Sequence, residues 1–460
     1  MAAERRDPPH QPGHSPTPSR REARREARRY DREILGLAVP ALGALLAEPL
    51  FLIADSAIIG HLGTQQLAGL GIASAVLLNA VFLCIFLAHG TTSAVARLAG
   101  AGDLRRAHTQ GVDGIWLGLC IGIALAALGI LLAPELVDLL GASEGARPYA
   151  VTYLRVSLLG LPSMLIVLAA TGALRGLKDT RSPLLATGIA ALANVPLNLL
   201  LVYPLGLGVA GSALGTVIAQ TGAAVWLCAV VVRGARRHQA PLRPDRPGIL
   251  AAAAANVPLF ARTVLLRIAL LTMTFVAAAE GDVAIAGHQI AFTLWYLLAM
   301  PPESFAIASQ AMVGHALGAS DPAAARAASR RALAWGLGSG LAIAAVVVAL
   351  RPVYIPLFTE DPAVRELVWS LAVVVAASQP VGALLYVLDG ILIGAGDLRY
   401  LAWTMLVALL VFVPLAAAVY VTEAGVVALW WALTGWLLAR QVAVALRYWS
   451  GAWLRTGPVR

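Results

Sequence analysis

Apolar segments of about 20 residues or longer recur along the whole chain, and they constrain its fold more than any other feature. A segment of that length crosses the hydrocarbon core of a bilayer as an α-helix, in which the backbone polar groups have partners within the helix. Only 13% of the residues are charged, against roughly 25% in soluble domains. The sequence therefore predicts an all-α polytopic membrane protein.

Glycines, prolines and charged clusters divide the chain into about twelve transmembrane helices. Their expected positions are 34–60, 67–97, 111–134, 149–175, 183–203, 209–232, 249–278, 284–315, 330–356, 363–394, 398–420 and 424–449.

The loops between these segments alternate in charge. Every second loop is basic, with residues such as Arg105, Lys178 and Arg236, whereas the loops between them carry acids such as Glu135 and Glu280. Because basic loops stay in the cytoplasm, we expect both termini to be cytoplasmic, in a multi-pass protein of the plasma membrane. This distribution also accounts for the net charge of +9, so we expect membrane lipids and no nucleic acid as partners.

Two halves of the chain are related by a constant offset in residue number, 390 − 172 = 218. The segment Gly172–Arg181 shares Gly, Leu, Gly, Asp and Arg with Gly390–Arg399, and Pro162 falls on Pro380. A register that holds along the chain indicates an internal repeat. With six spans in each half, both halves enter the membrane the same way round, which predicts two pseudo-symmetric six-helix bundles.

The repeat divides the chain into five expected regions. They are a basic disordered cytoplasmic tail (1–31), an N-terminal six-helix bundle (32–232), a cytoplasmic linker (233–248), a C-terminal six-helix bundle (249–450) and a short cytoplasmic tail (451–460).

The sequence shows no motif of an ATP-driven or metal-dependent protein. It contains no Gly-x-x-x-x-Gly-Lys-Ser/Thr run, and its single lysine, Lys178, stands in another context. It also lacks a His-Glu-x-x-His motif and any clustered metal-ligand spacing. We therefore expect no enzyme activity, no use of ATP, no cofactor and no metal. An ion gradient of H+ or Na+ is then the expected energy source.

Carboxylates inside predicted spans are costly and are candidate functional groups. Glu48 and Asp55 lie seven positions apart, on one face of the first span. Pro40 and Pro49 interrupt this helix and could let it bend, so that it re-aims that face. Burial favours the protonated form of a carboxyl group. Asp55 is therefore a candidate proton carrier.

The fifth span supplies neutral partners for this carboxyl group. Asn194 and Asn198 share a helix face, and Pro196 between them frees a backbone carbonyl. The offset places Asp55 and Asn194 on Met273 and Phe412, so the second half has no equivalent cluster. That asymmetry favours a chemical role, although Asp55 could instead only bond a neighbouring helix.

The second half contains another set of polar residues within its spans. Arg262, Arg267, Glu303 and Asp389 could cancel one another's charges as an ion-pair network, or they could coordinate a substrate or ion, and the sequence leaves both readings open. Gln289 favours an interhelical hydrogen bond.

These segments resemble the multidrug and toxic compound extrusion (MATE) family, in particular its DinF-like branch. The resemblance rests on Leu52–Gly63, Gly172–Arg181, Asn194–Asn198, Ala286–Gln289 and Leu388–Gly396, and it extends from about residue 32 to 450. It implies a V-shaped cleft between two six-helix bundles. It also implies export of cationic or amphipathic compounds in exchange for protons or sodium.

The resemblance also gives Asp55 a role, because it matches the aspartate whose protonation bends the first helix and releases substrate. Asn198 departs from the family pattern, which often has aspartate there, and this leaves the proton stoichiometry open. We expect a monomeric secondary antiporter that exports small organic molecules in exchange for protons by alternating access. The alternatives are a sodium-coupled exporter and a flippase for a lipid-linked precursor, whose cationic cavity only Arg262 and Arg267 could supply.

Overall fold

A computed structural model describes residues 20–457, and these form sixteen α-helices. They are α1 (Arg20–Gly60), α2 (Thr64–Leu83), α3 (Phe86–Gly100), α4 (Leu104–Leu131), α5 (Ala133–Leu139), α6 (Arg147–Leu158), α7 (Leu161–Gly176), α8 (Arg181–Val202), α9 (Gly208–Arg237), α10 (Arg246–Ala279), α11 (Asp282–Leu298), α12 (Met300–Gly318), α13 (Pro322–Phe358), α14 (Pro362–Gly394), α15 (Leu398–Thr422) and α16 (Val426–Trp449).

The number of membrane spans agrees with the sequence prediction. Within residues 20–457, eleven helices are long and apolar enough to cross a membrane, when α2–α3 and α11–α12 each count as one span. The pair α6–α7 is bent by 48°, and it supplies the twelfth span if it crosses as one unit. The prediction of about twelve transmembrane helices is confirmed.

The internal repeat is visible in the helix boundaries. Helices α11, α13 and α16 begin where the offset of 218 places the starts of α2, α4 and α9 (282 − 64, 322 − 104 and 426 − 208). We call α1–α9 the N half and α10–α16 the C half. An even number of crossings separates the start of α1 from the end of α3 and from the end of α16. All three points therefore lie at one face of the molecule, here called the terminal face.

Helices α4 and α13 begin at equivalent positions and also share the same kind of N-terminal cap. Asp103 accepts a hydrogen bond from the Arg106 backbone amide at the start of α4, and Asp321 accepts one from the Ala324 amide at the start of α13. Such caps satisfy amides that have no partner inside the helix. The two aspartates are equivalent under the repeat (321 − 103 = 218), and they fix where the third span of each half begins.

Two predicted boundaries differ from the structure. The chain is helical from Arg20 onward, so residues 20–31 of the expected disordered tail form the start of α1. This stretch is rich in Arg, Glu and Ala, which favour helix, and Asp31 also bonds Arg331 and Trp335. Residues 1–19 of that predicted tail lie outside the described residues. The expected linker is shorter as well, because α9 continues to Arg237 and α10 begins at Arg246.

The two halves are joined by a layer of contacts toward the terminal face, where α3 crosses α12. Ser93 donates to the Ile393 carbonyl at 2.6 Å, and Gln310 donates to the His89 carbonyl at 2.6 Å. Arg97 is buried and donates to the carbonyls of Ala395, Arg455 and Gly457 at 2.6, 2.5 and 3.1 Å. This layer closes the terminal face in the conformation described here.

Two glycines allow the backbones of α3 and α12 to meet. A Cβ atom on Gly100 would lie 2.1 Å from the His315 carbonyl oxygen, and one on Gly318 would lie 2.0 Å from the Arg97 carbonyl oxygen. Both distances are far below van der Waals contact, and the neighbouring atoms are backbone. The two glycines are equivalent under the repeat (318 − 100 = 218).

We expect Gly100→Ala to loosen this closed face, because the added methyl group cannot fit against the α12 backbone. The measurement is the rate at which a fluorescent maleimide labels Ser93→Cys in a chain whose three native cysteines are replaced by alanine. Labelling should accelerate severalfold. Gly188→Ala is the matched control, since a Cβ atom there meets nothing within 4 Å. Equal labelling of the two variants would contradict the role of the crossing.

Candidate functional site

Asp55 lies buried in the N half, where three other helices supply its hydrogen-bond donors. Its side chain is 1% exposed. Tyr153 of α6 and Thr216 of α9 each donate to its Oδ2 atom at 3.3 Å, and Asn198 of α8 donates to its Oδ1 atom. None of the ion pairs among the described residues includes Asp55. The carboxyl group is therefore held by neutral donors alone.

A second ring of polar groups orients these donors. The Asn198 amide nitrogen lies 3.1 Å from the Asn194 Oδ1 atom and 3.5 Å from the Ser212 hydroxyl. The Asn194 amide nitrogen lies 3.4 Å from the Thr216 hydroxyl. Asn194, Asn198 and Ser212 are fully buried. The structure thus brings together Asp55, Asn194 and Asn198, as the sequence predicted, and we call these residues with Tyr153 and Thr216 the Asp55 cluster.

The remaining predicted residues of the N half are less closely defined. Pro40 and Pro49 lie inside α1, and Pro196 lies inside α8. All three are at positions where a helix can bend. The placement of the Glu48 side chain lies outside what the structure describes. Its predicted role beside Asp55 stays a prediction, as does helix bending by the prolines.

Tyr153 and Thr216 were missed by the sequence reasoning. Neither residue carries a formal charge, and a threonine hydroxyl in a membrane helix commonly bonds the preceding turn. Thr216 does so here, since it also donates to the Ser212 carbonyl. A helical-wheel comparison could have placed Ser212 and Thr216 on one face, but it could not have told which helix that face meets.

Such a cluster can hold a proton in one state and release it in another. An ionised carboxylate without a cationic partner is costly in a buried site, unless several donors compensate it. Here three donors surround it, and the Asn198 amide can rotate to present its oxygen when the carboxyl group is protonated. The same carboxyl, amide and hydroxyl oxygens are also suitable ligands for a sodium ion. Both coupling ions are chemically compatible with this geometry.

A second polar cluster lies in the C half, around Asp389 of α14. Arg262 of α10 and Arg440 of α16 donate to the same Oδ2 atom of Asp389, at 2.5 and 2.8 Å. Glu303 of α12 lies within electrostatic range of Arg262 and of Arg175 from the N half. The structure therefore brings Arg262, Glu303 and Asp389 together at the interface of the halves.

Two predicted members of this network lie apart from it. The Arg267 guanidinium stacks on Phe82 of the N half, 3.7 Å from the ring centroid. This is a cation–π contact, which accounts for its position without an acidic partner. The Gln289 side chain is exposed, and the hydrogen bonds around Asp389 do not include it. Arg440 was missed, although a charge inside an apolar segment was a signal that could have found it.

The fold and the two clusters define a membrane protein made of two like halves, with buried ionisable groups in each half. The MatE family model matches residues 40–200 and 258–418, and these two matches begin at positions related by the same offset (258 − 40 = 218). The chain therefore belongs to the MatE, or multidrug and toxic compound extrusion, family of transporters, as the sequence predicted.

Curated relatives agree with this assignment. Protein DETOXIFICATION 44, chloroplastic, of Arabidopsis thaliana is 31% identical over 347 residues, covering 72% of this chain and 66% of that protein. The alignment thus spans just under two thirds of that relative's length. A probable multidrug resistance protein NorM of Thermotoga maritima is 25% identical over 345 residues, covering 73% of this chain and 74% of that protein.

Solved structures show the same fold. The eukaryotic MATE transporter AtDTX14 superposes with a TM-score of 0.84 at 18% identity, covering 94% of this chain and 98% of that one. The Vibrio cholerae MATE transporter VcmN in its bent form gives a TM-score of 0.83 at 21% identity, covering 94% and 98%. The predicted two-bundle architecture is confirmed by these neighbours.

We expect Asp389→Asn to destabilise the protein strongly, because it leaves the buried Arg440 and the partly buried Arg262 without their anion. The loss should be about 3–5 kcal/mol, as for other buried pairs that lose one partner. The measurement is the melting temperature of the detergent-purified protein, followed by tryptophan fluorescence. Asp138→Asn is the control, since the Asp138–Arg147 pair is exposed and bidentate and its loss should change the melting temperature little. A change in melting temperature as small as that of Asp138→Asn would show that the ion pairs of Asp389 contribute little to stability.

Proposed function

We propose that this chain is a secondary antiporter that exports cationic or amphipathic organic molecules in exchange for protons. The observation that supports it is the Asp55 carboxyl group, buried among neutral donors and without a cation. A group in such a setting changes its interactions greatly when it gains or loses a proton. The free energy of that change is available to drive a conformational step.

Helix α1 can transmit a change at Asp55 to the interface of the halves, because it contacts both of them. Asp55 lies near one end of α1 and packs within the N half, whereas Asp31 near the other end bonds Arg331 and Trp335 of the C half. Pro40 and Pro49 stand between the two aspartates. A change of α1 at Asp55 would therefore act on contacts with α12 and α13, against which α1 packs. Alternating access by rocking of the halves follows from such a link.

The charges at the interface support a small organic cargo over a multiply charged lipid-linked precursor. A flippase would need a strongly cationic cavity, for which Arg262 and Arg267 were the candidates. Arg262 is bonded to Asp389, and Arg267 stacks on Phe82. With Glu303, Arg440 and Arg175 included, three arginines face two acids around Asp389, so the net charge there is about one positive charge when both acids are ionised.

We also propose that the terminal face is cytoplasmic and that the protein acts as a monomer in the plasma membrane. Basic residues dominate the loops of the terminal face, in accordance with the positive-inside rule. The conformation described here would then be closed toward the cytoplasm. In this state substrate would leave toward the opposite face, as export requires.

We expect Asp55→Asn to abolish proton-driven efflux, since an amide cannot exchange a proton at this site. Asparagine can still accept and donate hydrogen bonds, so the variant should fold. The measurement is transport of a fluorescent organic cation in proteoliposomes, with pH and sodium gradients imposed separately. The wild-type chain should respond to the pH gradient, and sodium alone should drive little transport.

Asp103→Asn is the matched control for this experiment. It also removes one carboxylate from the N half, but Asp103 is a helix cap at the terminal face and asparagine caps a helix equally well. This variant should transport as the wild-type chain does. Proton-driven efflux by Asp55→Asn at the wild-type rate would exclude Asp55 from the coupling mechanism. Transport driven by a sodium gradient alone would identify sodium, and not the proton, as the coupling ion.

A further inference from the structure

A pocket of roughly 450 Å³ lies at the terminal face of the C half, and it shares no lining residue with either cluster described above. The start of α13 lines one side, with Arg326 and Arg330. The end of α16 and the turn that follows it line the other side, with Tyr448, Trp449 and Trp453. The pocket is large enough for a lipid headgroup.

The two arginines of the pocket have no acidic partner within residues 20–457. They are one helical turn apart, so both guanidinium groups project from the same face of α13. Both are exposed, and neither belongs to an ion pair among the described residues. Two neighbouring basic residues are paired: Arg331 bonds Asp31, and Arg447 bonds Asp397. Unpaired positive charge is therefore concentrated in the pocket.

The wall opposite the arginines is fixed by its own contacts. The Trp453 indole nitrogen donates to the Tyr448 carbonyl at 2.9 Å, and its ring stacks on Tyr448 with centroids 5.4 Å apart. Trp453 is 1% exposed. Gly451 turns the chain with a φ of +69°, and a Cβ atom there would lie 3.7 Å from the Arg326 Nη2 atom. The pocket is thus formed before any ligand binds.

The positions of its lining residues at the ends of two spans indicate that the pocket lies at the depth of lipid headgroups. Arg326 and Arg330 are in the first turns of α13, and Trp449 is the last residue of α16. Exposed tryptophan at the end of a span is typical of the membrane interface. Val442, Leu446 and Trp449 are exposed and follow one face of α16. An apolar surface for acyl chains therefore leads away from the pocket into the membrane.

We propose that this pocket binds the phosphate group of an anionic membrane lipid, whose acyl chains run along the exposed face of α16. Two guanidinium groups can bond the oxygens of one phosphate in a bidentate manner. Basic pockets between helices at the cytoplasmic side of a membrane are suited to anionic headgroups. The proposal depends on the pocket and on the membrane span of α16, and it does not require any particular cargo or coupling ion.

Native mass spectrometry of the full-length protein in detergent tests this site, with dioleoyl phosphatidylglycerol and dioleoyl phosphatidylcholine as probes. The wild-type chain should retain phosphatidylglycerol in preference to phosphatidylcholine. R326Q/R330Q should weaken phosphatidylglycerol binding by about 30-fold, which corresponds to about 1 kcal/mol per arginine. The matched control is R236Q/R237Q, which removes two exposed arginines from the same face, at the end of α9, and should bind as the wild type does.

Three outcomes would overturn the proposal. One is unchanged phosphatidylglycerol binding by R326Q/R330Q, and another is an equal loss in R236Q/R237Q, which would indicate a general effect of charge. The third is equal binding of the two lipids together with full displacement by millimolar inorganic phosphate, which would make this a site for soluble anions. If the double variant does not fold, R326Q and R330Q are tested singly. Each should weaken binding severalfold, and wild-type affinity in both would contradict the site.

Discussion

Hydrocarbon offers no hydrogen-bond partners, and this constraint shapes every polar feature of the protein. Its spans are helical apart from short breaks such as that between α2 and α3, and many of its polar side chains are gathered where other side chains can satisfy them. The N half gathers neutral donors around one acid, Asp55, whereas the C half gathers arginines around Asp389. In the first arrangement, Asp55 can gain or lose a proton without the loss of an ion pair. The second is held together by opposite charges and suits a permanent structural role.

The repeat explains why these unlike clusters share one scaffold. Duplicated helices keep the same starts, caps and close crossings, as Asp103 and Asp321 or Gly100 and Gly318 demonstrate. Interior positions are freer to diverge, because a membrane span tolerates any apolar side chain that packs. Asp55 falls on Met273, which is fully buried in the C half. The repeat therefore determines the framework of this fold, and the residue proposed to exchange protons lies at a position where the two halves differ.

The span count, the offset and the adjacency of Asp55 with Asn194 and Asn198 were predictable, because each depends on spacing along one helix or on a repeated pattern. Tyr153 and Thr216 were not, since their contribution depends on how α6 and α9 are rotated about their axes, and composition does not determine that rotation. Arg267 had a charge signal like that of Arg262, but an aromatic ring of the other half became its partner. The helical start of α1 was missed because a basic, proline-flanked run also reads as disordered.

The layer of contacts that closes the terminal face includes positions that are equivalent under the repeat but carry different side chains. Arg97 and His315 are related by the repeat, and each reaches across to the end of a helix in the opposite half. Arg97 donates to three carbonyls, two of them from the segment after α16, whereas the His315 ring bonds one carbonyl among the described residues, that of Gly176. The edge of this layer at Arg97 therefore has more hydrogen bonds between the halves than the edge at His315. If the halves part as proposed, the more strongly bonded edge is expected to act as the pivot, and a passage is expected to open first at the other edge.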